Sequence, residues 1–164
     1  MNDLVNIGAR STQAQRLLSK ESGASIDKAL NAIAAALEKN AQYILEENSK
    51  DIRIASDSGM SQAMIDRLTL TYDRISGMSL GLRQVASSEN PVGKVLWGET
   101  NKNGMKIEKV SVPIGVVAVI FEARPNVTSD AAAICLKAGN SVILKGGKEA
   151  INSNKAIAAV MRNA

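Results

Sequence analysis

The sequence predicts an α/β fold: a helical layer, then a β-hairpin, then the opening units of a parallel sheet. Three observations carry that expectation. Apolar residues recur at helical spacing through positions 1–90, and an Asn-Gly turn lies between two short extended runs. Residues 113–154 then alternate strand, helix, strand and helix start, with polar or glycine-rich turns between them.

In the helical layer, Ser25 precedes Ile26, Leu30, Ile33, Ala34 and Leu37, which share one helix face, while Asp27, Lys28, Glu38 and Lys39 face away. Ala41 to Ser56 repeats the pattern with Ile44, Leu45, Ile52 and Ala55, and Gly59 punctuates its end. Met64, Ile65, Leu68, Leu70, Ile75, Met78, Leu82 and Val85 continue it through two further helices, separated near Thr69 to Asp73. Such stripes mark core faces, so residues 1–90 are expected to form an amphipathic layer packed on a sheet.

Lys94 to Thr100 and Met105 to Val112 flank Asn101-Lys102-Asn103-Gly104, which predicts a hairpin over 91–112. Neither side of its second strand makes a clean hydrophobic face. A lone two-stranded ribbon is marginally stable, so this one should pair with a partner subunit or with another part of the same chain.

Val116 to Phe121 is a continuous apolar run rich in β-branched residues, as a strand buried on both faces requires. Thr128 to Lys137 has hardly a polar position and reads as a buried helix, with Gly139 at its C′ position and Asn140 opening the next strand. Ser141 to Lys145 supplies that strand, Gly146-Gly147 breaks it, and Glu149 to Asn163 is helical again. A strand, crossover helix and parallel strand of this length form a right-handed βαβ unit, the start of a Rossmann-like sheet. Both strand C-termini then share the edge at which open α/β sheets bind their ligands. Only two core strands are legible and the last helical pattern lacks a C-cap signal, so the domain is expected to be truncated.

Composition narrows the function. At 164 residues and 45% apolar the chain suits one domain, and 2% aromatic content makes its core aliphatic and alanine-rich. Net charge is +4, spread along the helices, with few aromatics for bases to stack on, so a nucleic-acid partner is not expected. No apolar run approaches the ~20 residues of a membrane span and no signal-peptide core is present, which predicts a cytoplasmic protein without a membrane partner. One Cys and no His exclude a disulfide framework and the usual zinc sites, so no metal is expected.

The chemistry should sit on two turns. Gly146-Gly147 lets backbone amides approach a pyrophosphate, with the following helix N-terminus adding partial positive charge, although the first strand lacks a G-x-G-x-x-G turn. Lys145 and Lys148 flank this turn; each alone reads as solvated charge, and together they suit a 2′-phosphate. In the turn Glu122 to Thr128, Pro125 holds Arg124 out of helix and stiffens the segment. Asn126 and Thr128 are residues that cap helices; alternatively the Asn126 amide donates to an oxyanion, with Arg124 or Glu122 ordering the turn or contacting an acidic substrate. Cys135, among apolar neighbours and with no His to act as base, reads as a structural thiol.

The run VPIGVVAVIFEARPNVTSDAAAICLKAGNSVILKGGKEAINSN closely resembles the γ-glutamyl phosphate reductase family, the glutamate-5-semialdehyde dehydrogenases of proline biosynthesis. ILEENSKDI, AMIDRLTL, GLRQVA and NPVGKVLW resemble the same family's N-terminal half. The resemblance implies an aldehyde-dehydrogenase-like fold, with a nucleotide-binding domain, a separate catalytic domain bearing a cysteine, and a small β-ribbon used in oligomerisation. Residues 91–112 would be that ribbon and 113–164 the first βαβα of the nucleotide-binding domain, in a homo-oligomer.

The implied reaction is NADPH-dependent reduction of L-glutamyl 5-phosphate to L-glutamate 5-semialdehyde and phosphate, by thiolate attack followed by hydride transfer. The family's nucleophilic cysteine lies in a catalytic domain absent here, and Cys135 does not match its position, so this chain alone should be inactive. Many NAD-preferring aldehyde dehydrogenases resemble LKPAE where this chain has Leu144 to Lys148. Lys148 in place of their acidic residue removes repulsion of a 2′-phosphate and adds attraction, which favours NADPH. Asn126 follows the first strand, as that superfamily's oxyanion asparagine does. The alternatives are a general NAD(P)-dependent aldehyde dehydrogenase, disfavoured by EARPNVT in place of an aromatic-Asn turn, and a non-catalytic helical assembly module.

Overall fold

A computed structural model describes residues 2–164. Helices α1 (Asn2–Leu18), α2 (Gly23–Lys39), α3 (Ala41–Asp57), α4 (Gln62–Leu68) and α5 (Tyr72–Ser87) come first, followed by the hairpin β1 (Val95–Thr100) and β2 (Lys106–Val110). Then come β3 (Val116–Ile120), α6 (Val127–Lys137), β4 (Ser141–Lys145), a 3-10 turn (Lys148–Ala150) and α7 (Ile151–Arg162).

The boundaries follow from local chemistry. α2 starts two residues before Ser25, because Ser22 is its N-cap and accepts the Ser25 N–H at 3.1 Å. α3 and α6 end alike. Gly59 and Gly139 take φ of +74° and +68°, and Met60 N–H to Ala55 O (3.1 Å) and Asn140 N–H to Cys135 O (2.8 Å) close the turns. These are Schellman closures, in which a Cβ would be strained.

The main core is helix on helix. Leu30, Ala34 and Leu37 of α2, Ile44 of α3 and Ile75, Met78 and Leu82 of α5 meet Ala133 of α6 and Ala156, Ile157 and Val160 of α7. The expected layer-on-sheet packing is therefore corrected. The helical layer packs on α6 and α7, and of the N-terminal helices it is α1 that packs on the strands. Alanines at the contact let helix axes approach closely, so this joint needs no sheet.

Buried polar groups fix the joint. Asp51 of α3, 1% exposed, accepts from Asn152 N–H (3.2 Å), Asn152 Nδ2 (2.8 Å), Ser153 N–H (2.8 Å) and Ser153 Oγ (2.6 Å). α7 has no capping side chain of its own, so α3 supplies a carboxylate to its N-terminus. Asn48, one turn earlier, donates to Leu68 O (2.8 Å) and Ser153 Oγ (3.0 Å) and accepts from Leu70 N–H (2.8 Å). Lys137, 6% exposed, donates to Asp27 Oδ1 at 2.6 Å and Ala86 O at 2.8 Å, joining α6 to α2 and α5.

On the surface, Arg83 of α5 grips Glu38 of α2 through bonds of 2.7 and 2.9 Å. The Arg83 bond, with help from Ser79, lowers the Glu38 carboxyl from 4.5 to about 2. A depressed folded-state pKa means that this stabilisation is complete above the unfolded value and is lost as pH falls from 4.5 towards about 2. Both side chains are about two-fifths exposed, so screening keeps the effect small. Glu38→Gln is expected to lower the Tm at pH 7 by roughly 4 °C at most, and calorimetry across that window should find the difference shrinking.

β3 and β4 pair in parallel and in phase, from Val116↔Ser141 to Ile120↔Lys145. The expectation of a strand buried on both faces fails for β3, whose Ile120 is 79% exposed. A two-stranded sheet leaves each strand a free edge, and α1 and α6 cover it only in part. The hairpin is antiparallel, with a register shift between Val95 and Trp97 and every strand residue exposed. Its turn closes through Gly104 N–H to Asn101 O at 2.8 Å, with Gly104 at φ +85°. Among the described residues, no helix is long and apolar enough to cross a membrane.

Candidate functional site

The in-phase register ends both parallel strands at one level, and this brings the two predicted turns together. Phe121 N–H donates to Lys145 O at 3.1 Å, one step past the strand pair. A Cβ built on Gly147 would lie 3.5 Å from the Glu122 carbonyl carbon, so the two turns pass close to each other.

The first turn is ordered by its main chain. Arg124 N–H donates to Glu122 O at 2.8 Å and Val127 N–H to Arg124 O at 3.1 Å, while Pro125 is fully buried beneath them. The side chains of Glu122 and Arg124 are exposed. Asn126 occupies the N-cap position of α6 with helical dihedrals and makes no capping bond. Thr128 does not cap either, since its Oγ1 bonds to Asn154 Oδ1 at 2.9 Å. Instead Asn126 Nδ2 donates to Asp130 Oδ2 at 3.0 Å. An ionised carboxylate only accepts, so Asp130 fixes which way the amide points and leaves its second N–H for another acceptor.

The second turn differs from the sequence reading in two respects. α7 begins at Ile151 and not at Glu149, because the 3-10 turn intervenes. The N–H groups of Asn152 and Ser153 are already donated to Asp51, so the positive end of that helix is answered from inside the protein. Gly146 has an intrachain reason to be glycine: a Cβ there would lie 2.2 Å from Asn154 Nδ2 and 3.2 Å from Phe121 Cε2. Neither Gly146 nor Gly147 has positive φ. Lys145 and Lys148 are exposed and, among the described residues, in no ion pair.

What the edge offers a cofactor is therefore two ammonium groups outside any ion pair among the described residues and one more donor, with the Glu149 carboxylate close against Gly147. Asn154 Nδ2 is buried beside Gly146 without a partner. Two lysines and an unpartnered amide N–H fit an anionic dinucleotide. Among the described residues, no group of three or more His, Cys, Asp or Glu side chains is placed to hold a metal ion. Cys135 is buried on α6, and desolvation pushes its thiol up, away from the reactive thiolate.

Sequence reasoning missed a cavity of about 380 Å³ beside the first turn, where Arg67 and Arg74 from the α4–α5 region approach Arg124, Asn126 and Asp130. No periodicity links residues so far apart in the chain. The only sequence signal was the charge pair at the end of α4, Asp66-Arg67.

No protein-family model matches the chain. It is 49% identical over its full length to the γ-glutamyl phosphate reductase of Carboxydothermus hydrogenoformans, of which it covers 40%. The crystal structure of γ-glutamyl phosphate reductase from Thermotoga maritima superposes with a TM-score of 0.95 at 35% identity, covering 98% of this chain and 39% of that one. An NAD-dependent benzaldehyde dehydrogenase from Corynebacterium glutamicum shares the fold, with a TM-score of 0.69 at 19% identity over 93% of this chain and 31% of that one. In sequence and in fold, the chain is similar along its whole length to the γ-glutamyl phosphate reductases, of whose aldehyde-dehydrogenase-like structure it spans about 40%.

Proposed function

We propose that this chain is the N-terminal part of a cytoplasmic, NADPH-dependent γ-glutamyl phosphate reductase, which reduces L-glutamyl 5-phosphate to L-glutamate 5-semialdehyde and phosphate in proline biosynthesis. The observation that carries the reading is the closeness of the two turns at one sheet edge, with the spare N–H of Asn126 on one and, on the other, two lysines in no ion pair among the described residues. NADPH, when bound, supplies the hydride. Lys145 and Lys148 attract its phosphates. Asn126 donates to the substrate's acyl oxygen as negative charge develops there. Glu122 and Arg124, exposed on a rigid turn, face the substrate. Cys135 stays structural, so the attacking thiolate is not drawn from α6. The hairpin, with Leu96, Trp97 and Met105 at least half exposed, supplies an oligomer contact.

Lys148 tests the cofactor assignment in a full-length enzyme carrying this segment. A charge-assisted contact to a 2′-phosphate contributes about 1.5–3 kcal/mol, so Lys148→Ala should lower kcat/KM with the NADP couple by about ten- to a hundredfold. The NAD couple has no 2′-phosphate and should lose little. Lys148→Glu should go further by adding repulsion. An unchanged NADP-to-NAD ratio in both variants would mean that Lys148 is ordinary surface charge.

A further inference from the structure

We infer that Arg67, at the end of α4, joins Arg124 in seating an anionic group of the substrate beside Asn126. The inference rests on the reductase reading and adds to it a residue far from either turn. The cavity of about 380 Å³ suits a small molecule and lies against the Asn126 amide, where the reacting carbonyl would sit.

Its charges sort into spent and unspent. Arg74 is spent: its guanidinium donates to Asp66 O, to Thr69 O at 2.6 Å and to Asp66 Oδ1 at 3.0 Å, which holds the α4–α5 junction and takes up the Asp66 charge. Asp130 accepts from Asn126 and Ser129, neutral donors that orient the carboxylate and leave its charge in place. Arg67 and Arg124 are exposed, and among the described residues neither side chain makes an ion pair. Three arginines against two aspartates leave the cavity lining one positive charge in excess, and two guanidiniums outside any ion pair complement an oxyanion that accepts several N–H bonds.

A γ-glutamyl phosphate carries two such groups, the α-carboxylate and the phosphate, and the chemistry that recognises them is shared. Phosphate-dependent oxidation of L-glutamate 5-semialdehyde by the full-length enzyme separates them, because phosphate and semialdehyde are then distinct substrates. Arg67→Ala should raise one KM by about ten- to a hundredfold, with the KM for NADP unchanged and kcat falling less than that KM rises. A rise for phosphate assigns the seat to the leaving group, and a rise for semialdehyde assigns it to the α-carboxylate. Arg67→Lys should recover part of the loss, since it keeps the charge and loses the fork.

A second readout does not depend on turnover. Inorganic phosphate or L-glutamate should raise the Tm of the unsubstituted protein, and Arg67→Ala should remove that rise without moving the ligand-free Tm. If neither KM changes and no anion-dependent rise is lost, the seat is not there. An unsubstituted enzyme that turned over neither substrate would sink the reductase reading, and the thermal shift would still decide whether Arg67 binds anions.

Discussion

Asn126→Ala is expected to lower kcat of the full-length enzyme by about 10²–10³, the loss typical when one preorganised oxyanion donor is removed. The structural grounds are specific. Asn126 has the cap position without the capping bond, so its amide is not occupied in holding the helix. Asp130 pins one N–H and thereby aims the other. A group aimed in advance loses little orientation entropy at the moment of reaction, which is why one hydrogen bond has so large an effect. Folding should be nearly untouched, with Tm moving by no more than about 2 °C, because no helix cap or core contact is lost. Asp130→Ala frees the amide to rotate and should lower kcat less than removal of the amide, with little change in KM. A kcat within threefold of the unsubstituted enzyme in Asn126→Ala would return this residue to a structural role.

Asp51→Ala is expected to destabilise the protein by about 3–4 kcal/mol, the largest stability effect of any single polar contact described above. Four bonds from Asn152 and Ser153 end on this carboxylate, and Asp51 and Ser153 are both buried. Removing it strands two amides in the first turn of α7, a hydroxyl and a side-chain N–H, and each buried donor left unpaired costs about 1–3 kcal/mol before relaxation. Asp51→Asn retains the shape and one acceptor and should lose about half as much. Urea denaturation with an unchanged m-value measures the difference. A loss below about 1 kcal/mol would mean that solvent reaches the α3–α7 joint and that the apparent burial does not persist in solution.

The helices of the layer were legible because burial imposes a 3.6-residue period: Leu30, Ile33, Ala34 and Leu37 are all in the core, as their spacing required. The turn glycines were legible for the same kind of local reason, and Gly59 and Gly139 both take positive φ. α1 went unassigned as an element because Leu4, Val5 and Leu17 stay largely exposed, so its pattern carries no buried stripe. The destination of the helical stripes was misread. A stripe tells that a face is covered and not what covers it, and alanine-rich α6 and α7 took the place assigned to a sheet.

The two turns of the site could be found because strand ends and glycines mark them. That Asp51 quenches the N-terminus of α7, and that Arg67 comes near Arg124, are facts of tertiary distance, and they lie 101 and 57 positions apart in the sequence. No local rule reaches across such a gap.

The same long separations set an order in time. Asp51 finds its partners 101 residues later in the chain, and Asp27 finds Lys137 110 residues later. At about 5–20 residues per second of synthesis, α2 and α3 exist for roughly 5–20 s before α6 and α7 emerge to cover their apolar faces. Through that interval Asp51 is still hydrated, and the leucines and isoleucines of α2 and α3 can touch only one another, α5 or another nascent chain. The helical layer is thus made first and covered only when α6 and α7 have followed.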